Sequence, residues 1–363
     1  MSDDRAPARQ PAHEQHPYPA EHGVPHGALP DARRDAEHEP GPGHAPFALV
    51  DVFGAEPLTG NPLAVVDLTE YARCGGADVD ERWLRRVARE MNQSETTFVL
   101  PGTHGAVRDL RSFTAGGVEV TGAGHNALGA WWWLLHTGRV RPAPAPDGRA
   151  APLVQRIGGR NLDVFVEDGH GPHGGELTMR QAPARPGASV DAPERLAELA
   201  AAVGLAPGDI AAAPAPRTVD TGAAHLMVLL RERAALGRAV PDKRRLTAAA
   251  DAVGAQGVYL AWPDDTPAAR PGRTVRARFF NPGVGLDEDP ATGSAAGPLA
   301  AYLSAAGLLA PGEELTVVQG EAMGRPSTLR VAVDAEGAPR VTGGGSLTVE
   351  GRLSLASLRA DRR

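Results

Sequence analysis

The chain has 363 residues, 42% of them hydrophobic, and a net charge of −7. That length suffices for one large domain or two medium ones, and the acidic balance gives no electrostatic footprint for a nucleic-acid partner. No apolar run approaches the roughly 20 residues that span a bilayer, and the N-terminus lacks the apolar core of a signal peptide. The single cysteine, Cys74, has no partner for an intrachain disulfide. A cytoplasmic location is the expectation.

Residues 1–45 read as a disordered Pro/His-rich tail. Nine prolines fall within residues 1–46, and large apolar side chains are scarce. Such a segment cannot bury enough surface to offset its ordering entropy. Its histidines are irregularly spaced and broken by prolines, so no metal site is expected from them.

Order is expected to begin at Phe47, with a strand over 47–53 and a second over 63–66 after the turn Gly60-Asn61-Pro62. Apolar residues at Trp83, Leu84, Val87 and Met91 have helical spacing, with Asp80 placed to cap them. Strands follow over 95–100 and 107–113. Residues 126–136 are apolar on nearly every side, including Trp131-Trp132-Trp133, which is the mark of a buried helix. At least one of these tryptophans is expected at a helix edge. Residues 141–152, rich in Pro and Ala, read as a connection between halves. Beyond them the pattern predicts helices over 192–203, 243–253 and 294–306. Strands are predicted over 162–166, 177–180, 224–230, 257–262, 275–280, 315–319, 328–333 and 346–349.

Two stretches echo each other. A strand ending at Phe113 leads through a Gly-rich loop to Gly124-His125 and an apolar helix. A strand ending at Phe280 leads through a similar loop to Gly293-Ser294 and a second apolar helix. The echo predicts an α+β fold of two pseudo-symmetric halves, each a mixed β-sheet wrapped around a central buried helix. The halves are expected at 46–145, carrying Glu95 and His125, and at 146–363, carrying Asp289 and Ser294, with the last strand free to return to the first half. Helix starts offer unpaired amides and a partial positive charge, so two of them facing one cleft suit a carboxylate or a developing enolate.

Glu95, at the start of an apolar strand, is either a half-buried proton-handling carboxylate or an ordinary solvated strand-end glutamate. His125 either orients a substrate and relays a proton or caps its helix. Asp289, in the run Asp287-Glu288-Asp289-Pro290, either binds a substrate hydroxyl or amine or closes the loop. Ser294 lacks a nucleophile-elbow context, so a hydrogen-bonding role is expected. No P-loop, dinucleotide fingerprint or zinc spacing is present, and no metal is expected.

Several runs occur in one order: Asn61-Pro62-Leu63-Ala64-Val65-Val66, Asn92-Gln93-Ser94-Glu95-Thr96, Gly124-His125, Glu288-Asp289-Pro290-Ala291-Thr292-Gly293-Ser294-Ala295 and Gln319-Gly320 through Gly324-Arg325-Pro326. Together they resemble the PhzF phenazine-biosynthesis family, relatives of diaminopimelate epimerase, over about residues 46–355. The resemblance implies a cofactor-free homodimeric isomerase of a small metabolite in secondary metabolism. It further implies Glu95 as the single general acid/base and a substrate held by Ser94, Gly124, His125, Asp289, Gly293 and Ser294. The family's characterised member isomerises trans-2,3-dihydro-3-hydroxyanthranilate. An epimerase or a proton-triggered cyclase on the same fold is the alternative, and a non-catalytic small-molecule binder a third. The chain departs from the family where Glu119-Val120-Thr121-Gly122-Ala123-Gly124-His125-Asn126-Ala127 replaces Glu-Leu-Pro-Phe-Ala-Gly-His-Pro-Thr. Loss of that aromatic widens one side of the pocket, so the substrate is expected to differ.

Overall fold

A computed structural model describes residues 43–74, 79–145, 150–167, 175–264 and 274–360. The tail expected over 1–45 lies outside these except at its end. There the first strand, His44–Val52, starts three residues before Phe47. It extends because His44 and Ala45 pair with Ser354 and Leu353 of the strand Gly345–Ser354, near the end of the chain.

Among the described residues eighteen strands make one mixed sheet, and the pairings of all but Glu119–Val120 and Leu286–Asp289 fall into two runs of like pattern. The first run passes through Gly345–Ser354, His44–Val52, Asn61–Asp67, Glu95–Pro101, Arg108–Thr114, Leu153–Ile157, Arg160–Glu167 and Glu176–Arg180. Its successive pairings are antiparallel, antiparallel, parallel, antiparallel, parallel, antiparallel, antiparallel. The second run passes through Arg185–Ser189, Arg217–Asp220, Ala224–Leu229, Gly257–Pro263, Thr274–Asn281, Glu314–Gln319, Ser327–Val333 and Pro339–Gly343, with the same succession. An antiparallel pairing between Glu176–Arg180 and Pro339–Gly343 joins them. By pairing, the change of run falls between residues 180 and 185, later than the boundary expected after residue 145. Arg108 and Asp109 pair with Gln155 and Arg156, which keeps the strand Leu153–Ile157 in the first run.

Each run encloses one apolar helix, His125–His136 in the first and Gly293–Ala305 in the second. Both contribute to the same hydrophobic core. All three tryptophans of the first helix are buried, contrary to the expectation of an edge position, because sheet surrounds the helix. Trp131 donates its indole N–H to Gln155 Oε1 at 2.9 Å, which satisfies a polar atom that the apolar interior would otherwise strand. At about 25 cal/mol per Å², burying three indoles is worth on the order of 10 kcal/mol of transfer free energy.

Outer layers complete the fold. The helix Glu81–Met91 turns Trp83, Leu84, Val87 and Ala88 onto the outside of the first run, beside Leu355 and Leu358. Asp80 caps it by accepting from the Arg82 amide at 2.9 Å. Helices Pro193–Ala202 and Lys243–Asp251 cover the second run. Among the described residues no helix is long and apolar enough to cross a membrane.

Candidate active site

Glu95 is the first residue of the strand Glu95–Pro101. The helix before it stops because Asn92 adopts the left-handed conformation at φ 49°, which asparagine tolerates better than most residues. Three residues later the chain enters the sheet, with Glu95 registered between Leu63 and Thr114. His125 opens the first central helix. The Asn126 side chain folds back beneath it, accepting from the Gly124 amide at 2.7 Å and donating to the Gly122 carbonyl at 3.0 Å. The Gly124 N–H is therefore occupied, and the unpaired helix-start amides are those of His125, Asn126 and Ala127.

His125 Nε2 lies 3.7 Å from Glu95 Oε2, with the two side chains 13% and 17% exposed. That separation is beyond a hydrogen bond, and His125 Nε2 is buried with no partner among the described residues. Burial pushes the Glu95 carboxyl up to about 7. Burial also holds the His125 imidazole below its ordinary value, against the pull of the Asp289 charge. Near neutrality Glu95 is thus divided between acid and carboxylate while His125 is neutral, which suits one group to both giving and taking a proton.

The acidic run separates by direction. Asp287 reaches outward to Lys243 at 2.7 Å, and Glu288 forks onto Arg278 at 2.9 and 2.7 Å. Asp289 alone turns inward and is 7% exposed. Its carboxylate accepts from Asn61 Nδ2 at 2.9 Å and from Thr292 Oγ1 at 2.5 Å. Burial raises it to about 6, with His125 and the Thr292 hydrogen bond opposing and Glu95 adding to the rise. Asn61 joins this carboxylate to the Glu95 segment, since Ser94 Oγ donates to Asn61 Oδ1 at 3.3 Å. Gln319 fixes the far side, donating to the Asp289 carbonyl at 2.7 Å and to Thr292 Oγ1 at 3.0 Å. Its own Oε1 accepts from Tyr259 at 2.7 Å and from the Thr292 amide at 3.2 Å.

Ser294 lies in the first turn of the second central helix, its Oγ 3.3 Å from His225 Nε2. The Gly293 carbonyl accepts from Gln181 Nε2 at 2.8 Å, and the helix bonds begin at the Ala295 and Ala296 amides, so those of Gly293 and Ser294 stand at an unpaired helix start. Glu95 and His125 face each other at 3.7 Å without a hydrogen bond, and Asn61 ties Asp289 to Ser94 beside Glu95. His225 and Tyr259 escaped the reading of the sequence. The available signal at 225 was a lone polar residue inside the apolar run Ala224-His225-Leu226-Met227-Val228. Among the described residues no group of His, Cys, Asp and Glu could hold a metal ion. A cavity of about 330 Å³ between the outer helices Pro193–Ala202 and Lys243–Asp251, lined by Val190, Leu199, Leu226 and Ala249, contains none of these groups.

Comparison with known proteins agrees with this fold. The chain is 33% identical over 316 residues to the trans-2,3-dihydro-3-hydroxyanthranilate isomerase of Pseudomonas aeruginosa, covering 85% of this chain and 99% of that protein. The solved structure of a protein from the same species, described as a predicted epimerase, superposes with a TM-score of 0.69 at 34% identity, over 85% of this chain and 99% of the other. A hydroxyproline epimerase from Agrobacterium vitis, 13% identical with a TM-score of 0.54 over 86% and 93% of the two chains, shares the fold alone. The family of phenazine biosynthesis-like proteins, PhzC-PhzF, matches residues 50–351. With isomerase relatives over 85% of its length, the chain belongs to the PhzC-PhzF family and is an enzyme of its isomerase kind.

Proposed function

We propose that the protein isomerises a small, carboxylate-bearing metabolite by moving one proton between two carbons, with Glu95 as the sole acid/base. The Glu95 carboxylate takes a proton from a carbon beside an unsaturated system, and the electron pair shifts into that system. The same carboxyl then returns the proton to a second carbon on the same face. Neutral His125 and the helix-start amides steady the negative charge while it is spread over the substrate. Asp289, held by Asn61 and Thr292, receives a substrate hydroxyl or amine, and Ser94 keeps Asn61 in place. The transfer as drawn needs no cofactor. A role in secondary metabolism and a homodimeric assembly belong to the same reading, and light scattering of the purified protein checks the latter.

One observation carries the single-base assignment. Thr96 pairs with Phe113 in the first run and Val258 with Phe280 in the second, so Glu95 corresponds to Gly257. A Cβ on Gly257 would come within 2.5 Å of the Phe279 ring. The second half therefore has no room for a matching base at that place.

The test is turnover of trans-2,3-dihydro-3-hydroxyanthranilate, the substrate named for the relative, and of close analogues, in deuterium oxide. Solvent deuterium is expected at the new carbon–hydrogen position to the extent that the Glu95 carboxyl exchanges with solvent between taking and returning the proton, and Glu95→Gln should fold normally yet lower turnover at least ~10²-fold. Near-wild-type turnover by that variant would sink the assignment. Epimerisation is the second reading, favoured by Asp289, a buried carboxylate raised to about 6 from the other half. It predicts an inverted product stereocentre and equal sensitivity to Glu95→Gln and Asp289→Asn.

A further inference from the structure

His225, beside Ser294, is a buried polar side chain that the proton transfer leaves unexplained. It sits on the strand Ala224–Leu229, is 3% exposed, and lies edge-to-face against Phe279 with centroids 4.9 Å apart. The parallel ladders give its counterpart in the first half. Leu63 pairs with Glu95 where His225 pairs with Gly257, so His225 stands where the other half uses a core leucine. Leu63 packs on Gly129 of its central helix. The fold itself thus tolerates an apolar group there, and the imidazole needs a reason of its own.

Its two nitrogens differ. Nε2 lies 3.3 Å from Ser294 Oγ, whereas Nδ1 is buried with no hydrogen-bond partner among the described residues. A doubly protonated ring would bury an unpaired N–H at Nδ1, and so would the Nδ1–H tautomer. A bare acceptor is the better tolerated orphan. Burial favours the neutral ring as well, lowering it to about 4 against the pull of Asp220. The remaining arrangement has the proton on Nε2, donated to Ser294 Oγ. The serine proton must then point elsewhere.

We propose that His225 is a positioning residue whose Nε2–H donates to Ser294 Oγ, turning the Ser294 hydroxyl into a donor toward a substrate carboxylate at the start of the second central helix. The proposal rests on the isomerase reading for the presence of that carboxylate. It adds that affinity for the anion is set from behind, by a residue that does not touch it. With the opposite polarity Ser294 would spend its proton on His225 and offer the anion only lone pairs.

Two measurements test it. Nitrogen NMR of the ring of His225 in the full-length protein should find Nε2 protonated and Nδ1 bare; a proton on Nδ1 overturns the proposal. Calorimetry with 3-hydroxyanthranilate and with 2-aminophenol, the same ring without its carboxylate, reads the consequence. His225→Phe should weaken the first about 10-fold, the scale of one hydrogen bond to a charged group, and leave the second unchanged. His225→Gln, which keeps an amide donor, should recover part of the loss. Ser294→Ala in the His225→Phe background should cost less than Ser294→Ala costs in the wild type. Equal weakening of both compounds, full additivity, or a wild-type protein with no preference for the carboxylate would each overturn it. None of these outcomes touches the deuterium test of Glu95, so the two ideas fail separately.

Discussion

The two halves of this molecule share a ladder and, in the mechanism proposed above, divide the chemistry. Their strand pairings succeed one another in the same order, and each wraps one apolar helix. Yet at matched positions the first half has Glu95 and Leu63 where the second has Gly257 and His225. The scaffold repeats because the packing problem repeats: each central helix needs sheet around it. In the isomerase reading proposed above, the side chains at the matched positions answer to a substrate with two different ends. A symmetric pair of bases would suit inversion of a stereocentre, one group per face. An acid/base on one side and hydrogen-bond donors on the other suit a proton moved along one face.

The comparison breaks most visibly if the base can be moved across it. Glu95→Gln combined with Gly257→Glu should stay at least ~10²-fold below wild type in turnover, because one positioned acid/base group is lost and not replaced. The Phe279 ring occupies the space that a Gly257 side chain would need. Recovery of turnover in steady-state assays would show the halves to be interchangeable.

A smaller effect separates them through pH. The Glu95 carboxyl is raised from 4.5 to about 7 by burial. For an acid with a raised folded pKa, the folded state holds its proton longer than the unfolded chain. Stability therefore falls as pH rises from about 4.5 and levels off above about 7. Glu95→Gln removes this penalty. It should be stabilised relative to wild type by about 2–3 kcal/mol at pH 8.5, and by little at pH 4, in urea titrations. An equal difference at both pH values would mean that Glu95 is not desolvated in solution.

Much of this was legible in the sequence, and what was missed shares a cause. Apolar periodicity and cap residues located the helix Glu81–Met91 and both central helices, and the Phe113/Phe280 echo anticipated the repeated pattern. Glu95, His125 and Ser294 stood out because each follows a turn or a glycine at an element boundary, and Asp289 because it closes an acidic run just before Pro290. The strands Leu153–Ile157, Arg185–Ser189, Arg217–Asp220 and Pro339–Gly343 did not, since Arg, Pro, Gly and Ser interrupt them and their stability comes from neighbours distant in sequence. His225 was hidden for the opposite reason. It lies in so good an apolar strand that only the structure, pairing it with Gly257 and setting it 3.3 Å from Ser294 Oγ, singles it out. The closing strand Gly345–Ser354 beside His44–Val52 is likewise a long-range fact, invisible to local periodicity.

Packing at the matched positions supplies the next test. Gly257→Ala should destabilise the fold by about 1–3 kcal/mol, the usual cost of overpacking, because its Cβ would meet Phe279 at 2.5 Å and the Phe280 carbonyl at 2.9 Å. Glu95→Ala, at the counterpart position, should cost no stability at neutral pH, since it removes a poorly solvated carboxyl. Thermal unfolding of the two variants side by side checks this; equal losses would mean that packing does not distinguish the positions.

The smallest expected effect concerns the helix starts. In the first half Asn126 spends its side chain on Gly124 and Gly122, whereas in the second Gln319 and Gln181 brace Thr292 and Gly293 from other strands and loops. The first start is held by its own helix and the second by its surroundings. Asn126→Ala should therefore lose about 1 kcal/mol, the value of a helix cap. It should also free the Gly124 amide, whose unpaired N–H then competes with His125 for the substrate anion. The expected signature is a modest loss of thermal stability, together with a change in KM rather than kcat. A kcat effect comparable to that of Glu95→Gln would place Asn126 in the proton transfer itself, and the first helix start would have to be regarded as part of the acid/base machinery rather than its support.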